Sequence, residues 1–128
     1  MGASSTTLHE PVGQLKPETP NLHRAIVSLI EELEAVDWYR QRADACSDDE
    51  LKAILEHNMN EEIEHASMVL EWLRRHIPKV NEALKTYLFT TGDVTKLEAA
   101  VTEGAVVDKA TGTEPSRLRT TIGNMKGS

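Results

Sequence analysis

The residues best equipped for chemistry in this 128-residue chain are Glu62 and His65, a Glu-x-x-His step, and Glu32 well upstream. Carboxylate oxygens and an imidazole nitrogen suit divalent iron, manganese or zinc. Glu-x-x-His is a common triplet in a Glu-rich chain, so its meaning depends on where the side chains sit. At heptad steps the sequence reads Leu51, Leu55, Asn58, Glu62, His65, Val69 and Trp72. Four positions are apolar, and the middle three are Asn, Glu and His. At about 100° per residue, Glu62 and His65 fall close to the centre of the stripe. Burying an ionised carboxylate without a partner costs several kcal/mol, and few basic residues lie near Glu62 in the sequence. Glu32 flanks an upstream stripe, on the side shared with Ala25 and Tyr39, and reaches the same interior from the opposite wall. Two readings follow: a divalent metal site, or a hydrogen-bonded polar layer that sets helix register.

The elements that must position these residues are helices. Residues 1–19 are rich in Ser, Thr, Pro and Gly, lack periodicity and read as a flexible arm. Thr19-Pro20 offers an N-cap followed by proline at the first helical position. Leu22, Ile26, Leu29, Leu33 and Val36 then recur at steps of four and three, one face of a helix running to about Ala45. Ser47-Asp48-Asp49-Glu50 forms an S-x-x-E capping box and starts a second helix after a short turn. Pro78 ends or kinks that helix just past His76. Val80–Phe89 reads as a short third helix stopped near Gly92, and residues 92–128 as a mobile tail in which only Leu97–Val101 has helical spacing. No internal repeat or alternating strand pattern is present.

Composition narrows the class. Lys and Arg number 14 against 21 Asp and Glu, a net charge of −7 that disfavours nucleic acid as a partner. Between Asn21 and His76 there are 13 acidic and six basic residues, so the whole excess lies there, and cations are its natural partners. No apolar run approaches the roughly 20 residues that span a bilayer, so no membrane partner is expected. The N-terminal sequence lacks the apolar core of a secretory signal. Met1-Gly2 through Thr6 fits the loose myristoylation pattern M-G-x-x-x-[ST]. The single Cys46 cannot form an internal disulfide and fits a reducing compartment. Aromatic residues make up only 4%, and two long helices with a stub have too little mutual surface to bury both stripes. Self-association into a four-helix bundle of two hairpins is therefore expected.

Residues 20–90, through HRAIVSLIEELEAVDWYRQR, EHNMNEEIEHASMVLEWLRR and LKTYLF, resemble the encapsulated ferritins of bacteria and archaea. Ferritin-like di-iron sites take a Glu from each of two helices and Glu-x-x-His from each of two others, so this chain carries half a site that a two-fold dimer would complete. The resemblance implies an all-α protomer: an antiparallel hairpin with a short C-terminal helix over residues 20–91. The dimer interface would hold a di-iron ferroxidase centre ligated by Glu32, Glu62 and His65, with Tyr39 close by. It also implies a ring of five dimers, a decamer, carried inside an encapsulin shell that stores the iron mineral in a prokaryotic cytoplasm. Myristoylation is not expected in that setting.

The same resemblance makes Glu31 and Glu34 a metal-entrance site, with Trp38 beside it in a subunit interface. The residues alone fit a solvated acidic face equally well. It suggests a peripheral cation site at His57, Glu61 and Glu64, with calcium, zinc or manganese as other occupants of this site or the main one. Ile122, Gly123, Asn124, Met125 and Lys126 are similar in order to encapsulin cargo-loading peptides, with Asn and Met in place of the commoner Ser and Leu. A chain tail with an apolar anchor suits docking in a groove. The functional expectation is an Fe2+:O2 oxidoreductase for iron storage and homeostasis. The alternatives are a non-catalytic metal-dependent assembly module or shell cargo, and a dimeric helical adaptor with a polar interface layer.

Overall fold

A computed structural model describes residues 6–99, so the tail positions Ile122 to Lys126 lie outside the described residues. Among the described residues all regular structure is helical: α1 (Thr19–Ala45), α2 (Asp49–His76), α3 (Pro78–Tyr87), and 3-10 turns at Val12–Gln14 and Val94–Lys96. The all-α hairpin with a short third helix is the expected fold. The chain forms two compact units divided after Pro78: α1 and α2 lie in one, and all of α3 but its first residue in the other. No helix among the described residues is long and apolar enough to cross a membrane.

α1 ends at Ala45 and α2 at His76 as expected and their starts differ by one residue, whereas the third helix spans Pro78–Tyr87 rather than Val80–Phe89, because proline fits the first helical position. α1 begins at Thr19, with Glu18 at the N-cap making no side-chain cap bond and Pro20 inside the first turn, where a missing N–H costs nothing. At α2 the cap is Asp48, not Ser47, and its carboxylate accepts the Leu51 N–H at 2.9 Å. Two cap patterns overlap here, and the charged oxygen wins because it also meets the positive end of the helix dipole. Only Cys46, Ser47 and Asp48 separate the helices, which forces them antiparallel. Ile77 takes an extended backbone (φ −124°, ψ 103°) because Pro78 disfavours helical geometry in the residue before it. Pro78 then opens α3.

Seams of α1 and α2 position the site. Along α1, Leu22, Ala25, Leu29, Glu32, Val36, Tyr39 and Ala43 recur at steps of three and four, and every one is half-buried or buried. Ile26 and Leu33, assigned to the core stripe from spacing alone, are instead about half exposed (45% and 54%). Glu32 is thus in the seam itself rather than on its flank. The single stripe expected on α2 separates into two. Leu55, Met59, Glu62, Ala66, Val69 and Leu73 run along an inner seam, where Ala66 and Leu73 are buried. Leu51, Ile54, Asn58, Glu61, His65, Met68 and Trp72 form an outer seam in which Leu51, Ile54 and Met68 remain 49%, 52% and 65% exposed. A heptad reading merges the two because they lie only about 100° apart around the helix.

The C-terminal turns of α2 carry their own bracing. Glu71 accepts from Arg74 Nε at 2.8 Å and Arg75 Nε at 2.6 Å, and these hydrogen bonds hold its carboxyl down at about 2. His76 Nδ1 donates to the Trp72 carbonyl at 2.8 Å while its ring stacks on the indole with centroids 3.8 Å apart. In the second unit, Gly92 (φ 92°) turns the chain toward Asp93, whose carboxylate accepts from Thr95 N and Oγ1. That positive φ suits glycine, which has no Cβ to clash.

Removing the α2 cap should be felt across the hairpin. Asp48→Ala is expected to cost about 1 kcal/mol of stability, read as a lower thermal midpoint with unchanged helix content in circular dichroism. Ser47→Ala should leave the midpoint close to wild type.

Candidate metal centre

Glu32 on α1 and Glu62 and His65 on α2 converge. One ligand atom from each lies within 4.8 Å of the others, the sole such trio of metal-ligating residues among the described residues. His65 Nδ1 is 3.1 Å from Glu62 Oε1 and 3.7 Å from Glu32 Oε1. The side chains of Glu32 and Glu62 are mostly covered, at 28% and 23% exposure, while His65 is 42% exposed. The group is therefore walled by the two helices and open toward the outer seam.

Electrostatics show what the site does without a cation. A hydrogen bond to Glu62 raises the Glu32 carboxyl above its ordinary value, helped by burial and by the Glu62 charge. Glu62 moves the other way, because it accepts hydrogen bonds from Glu32 and from His65. The hydrogen bond to Glu62 also raises His65, against some desolvation, and the charges of Glu32 and Glu62 add to it. Two carboxylates this close disfavour double ionisation, which strengthens proton binding at Glu32 and favours an imidazolium at His65. The donor set fits a divalent cation: two carboxylates and one imidazole nitrogen whose Nδ1 already faces them.

The other expected site residues are placed differently. Tyr39 is one heptad beyond Glu32 on the same seam, roughly 10 Å of helix rise away, with the Arg42 guanidinium 5.4 Å from its ring centroid. Glu31 and Glu34 are exposed on α1, and Trp38 is 49% exposed beside Gln41 and Arg42. His57 Nε2 lies 4.0 Å from Glu61 Oε2 with both side chains in solvent. Glu64 does not join them in a three-residue cluster, since the trio above is the sole one among the described residues. The α1 seam shares Leu22, Leu29 and Val36 with the stripe read from hydrophobicity, but its centre is shifted toward Ala25, Glu32, Tyr39 and Ala43, which are small or polar. A heptad count that admitted such residues would have found it.

Fold and site together define a class: a helical hairpin that brings two carboxylates and an imidazole together as a candidate metal site. The chain belongs to the EncFtn-like family, whose pattern matches residues 7–91. It is 57% identical over 130 residues to an encapsulated ferritin-like protein of Rhodospirillum rubrum, covering 99% of this chain and 93% of that protein. It is 36% identical to the encapsulin nanocompartment cargo protein EncC of Myxococcus xanthus, over 82% of this chain and 85% of that one. The crystal structure of protein ne0167 from Nitrosomonas europaea is 57% identical and superposes with a TM-score of 0.66, covering 68% of this chain and 96% of that one.

Cation binding competes with protons at Glu32 and His65, which sets the sign of its pH dependence. Affinity for Zn2+ should weaken as pH falls through the raised His65 value, which lies above 6.5, and further toward the raised Glu32 value. Calorimetry in two buffers of different ionisation enthalpy should show proton release on binding. Without metal, the stability His65 contributes is complete below about pH 6.5 and fades as pH rises through its raised folded value. Stabilisation by Zn2+, read as a shift in thermal midpoint, should therefore be larger at about pH 8 than at about pH 5.5.

Proposed function

We propose that this protein is a ferroxidase that binds Fe2+ as substrate at a centre completed by two copies of the chain, and that it works as cargo of an encapsulin shell. The observation that carries the reading is the trio of Glu32, Glu62 and His65, walled on one side and open on the other. One protomer offers two carboxylates and one imidazole, half of the set a ferritin-like di-iron site uses. Two copies related by a two-fold axis would offer four carboxylates, whose charge balances two Fe2+ ions. Each Fe2+ gives one electron to dioxygen, and the ferric product, favoured by the carboxylate charge, moves on to mineral storage in the shell.

Within one chain, Glu32 and Glu62 bind the metal and His65 adds the nitrogen through Nδ1. Exposed Glu31 and Glu34 draw cations to the outer face of α1, with Trp38 at the edge of a subunit contact. Tyr39 orders the end of the seam. Large exposed apolar side chains on both helices support self-association: with only Ala43, Ala66 and Leu73 buried among the described apolar residues, one hairpin has almost no core of its own. The names of the relatives in Rhodospirillum rubrum and Myxococcus xanthus support the cargo role, and the tail from Ile122 to Lys126 is our choice for the segment that docks on the shell.

Oxygen consumption after adding Fe2+ tests the chemistry. Wild-type protein should take up oxygen well above the buffer rate, and Glu32→Ala/Glu62→Ala should fall to that rate. Equal uptake by both proteins would leave a metal-dependent assembly module. A split site also couples metal to association, so sedimentation should shift toward larger species on adding metal and back on chelation. An unchanged profile would count against a shared centre.

A further inference from the structure

The outer seam of α2 contains a pairing that the protomer leaves unmade. Read in either direction it alternates the same classes: Leu51, Ile54, Asn58, Glu61, His65, Met68, Trp72. Turned end for end on a second copy, Leu51 meets Trp72, Ile54 meets Met68, Asn58 meets His65, and the exposed Glu61 falls opposite its own counterpart at the two-fold axis. Charge at the helix ends selects the antiparallel arrangement. The first turn of α2 is acidic (Asp49, Glu50) and the last is basic (Arg74, Arg75, His76), so parallel helices would set like charges together and antiparallel ones join opposite charges. The exposed apolar residues at both ends of the seam supply the surface to be covered.

The middle of the seam gives this pairing a chemical role. His65 turns Nδ1 toward Glu32 and Glu62. A metal on Nδ1 leaves the proton on Nε2, and that nitrogen has no hydrogen-bond partner among the described residues. Asn58, half-buried one heptad earlier, likewise has an amide without a partner there. A metal-bound histidine nearly always donates its other N–H to an oxygen, which fixes tautomer and ring orientation. We propose that Asn58 of one copy accepts a hydrogen bond from Nε2–H of the partner subunit's His65 across an antiparallel α2–α2 seam, and thereby positions that imidazole for metal. Asn58 is a positioning residue and touches no metal. The inference rests on the shared-centre reading above and adds the register of the two copies and the group that orients the nitrogen ligand.

Two measurements on the full chain test it. In a Cys46→Ser background, Ile54→Cys/Met68→Cys should form disulfide-linked dimers under mild oxidation. Monomers alone would overturn the register, and this arm leaves Asn58 untouched. The second is Co2+ titration followed by absorption, without iron or turnover. Asn58→Leu should bind Co2+ about ten- to a hundredfold more weakly, whereas Asn58→Asp, which keeps an acceptor oxygen, should stay near wild type. Wild-type affinity in Asn58→Leu, or an equal loss in Asn58→Asp, would overturn the proposal. A wild-type protein that binds Co2+ and depends on Asn58, yet consumes no oxygen with Fe2+, would sink the ferroxidase reading and leave the role of Asn58 standing.

Discussion

Two carboxylates set face to face between packed helices govern much of this protein. Glu32 and Glu62 occupy seam positions that a stable hairpin would ordinarily give to leucine or alanine. Their closeness raises the Glu32 carboxyl, lowers that of Glu62 and draws the His65 imidazole to both. The remaining features follow from accommodating that charge. The site is only partly covered, His65 keeps an open side, and the helices carry apolar residues on faces that a lone hairpin exposes. A compact monomer would bury the carboxylates more deeply and incur a larger desolvation penalty. A hairpin that leaves them at its edge keeps them partly solvated and open toward the outer seam.

Stability and function are therefore linked through one surface. With three buried apolar residues among those described, the hairpin has little core and relies on local interactions such as the Asp48 cap and the Glu71 clamp. The clamp and the Trp72–His76 stack stiffen the last turns of α2, where the outer seam ends. Membership of a family that includes an encapsulated ferritin-like protein and kinship to an encapsulin cargo protein agree with a molecule built to work in association.

Much of the architecture was legible from residue order. The turn at Cys46 to Asp48, the stop at Pro78 and the two long helices all follow from local chemistry, with the starts of the long helices shifted by one residue and the short third helix by two. The trio itself was also legible, because Glu-x-x-His in an apolar setting calls for a cation or a tight polar network. Less accessible was the identity of the core face on α1. Ile26 and Leu33 look like core residues by hydrophobicity, yet they point away from the seam, and the small side chains of Ala25 and Ala43 take the contact instead. Close helix approach favours small residues, and hydrophobicity alone does not reveal it.

The sequence by itself determined the helical period, the caps, the antiparallel return and the chemical types available as ligands, since each depends on interactions a few residues apart. Tertiary structure decided which of two neighbouring stripes on α2 meets α1, and so which ligand faces inward and which stays open. Glu62 and His65 differ by only about 60° around the helix. Only the packing of α1 against one side of α2 turns that small angle into a division of labour, with a covered carboxylate pair and an imidazole facing the surface where a second copy would sit.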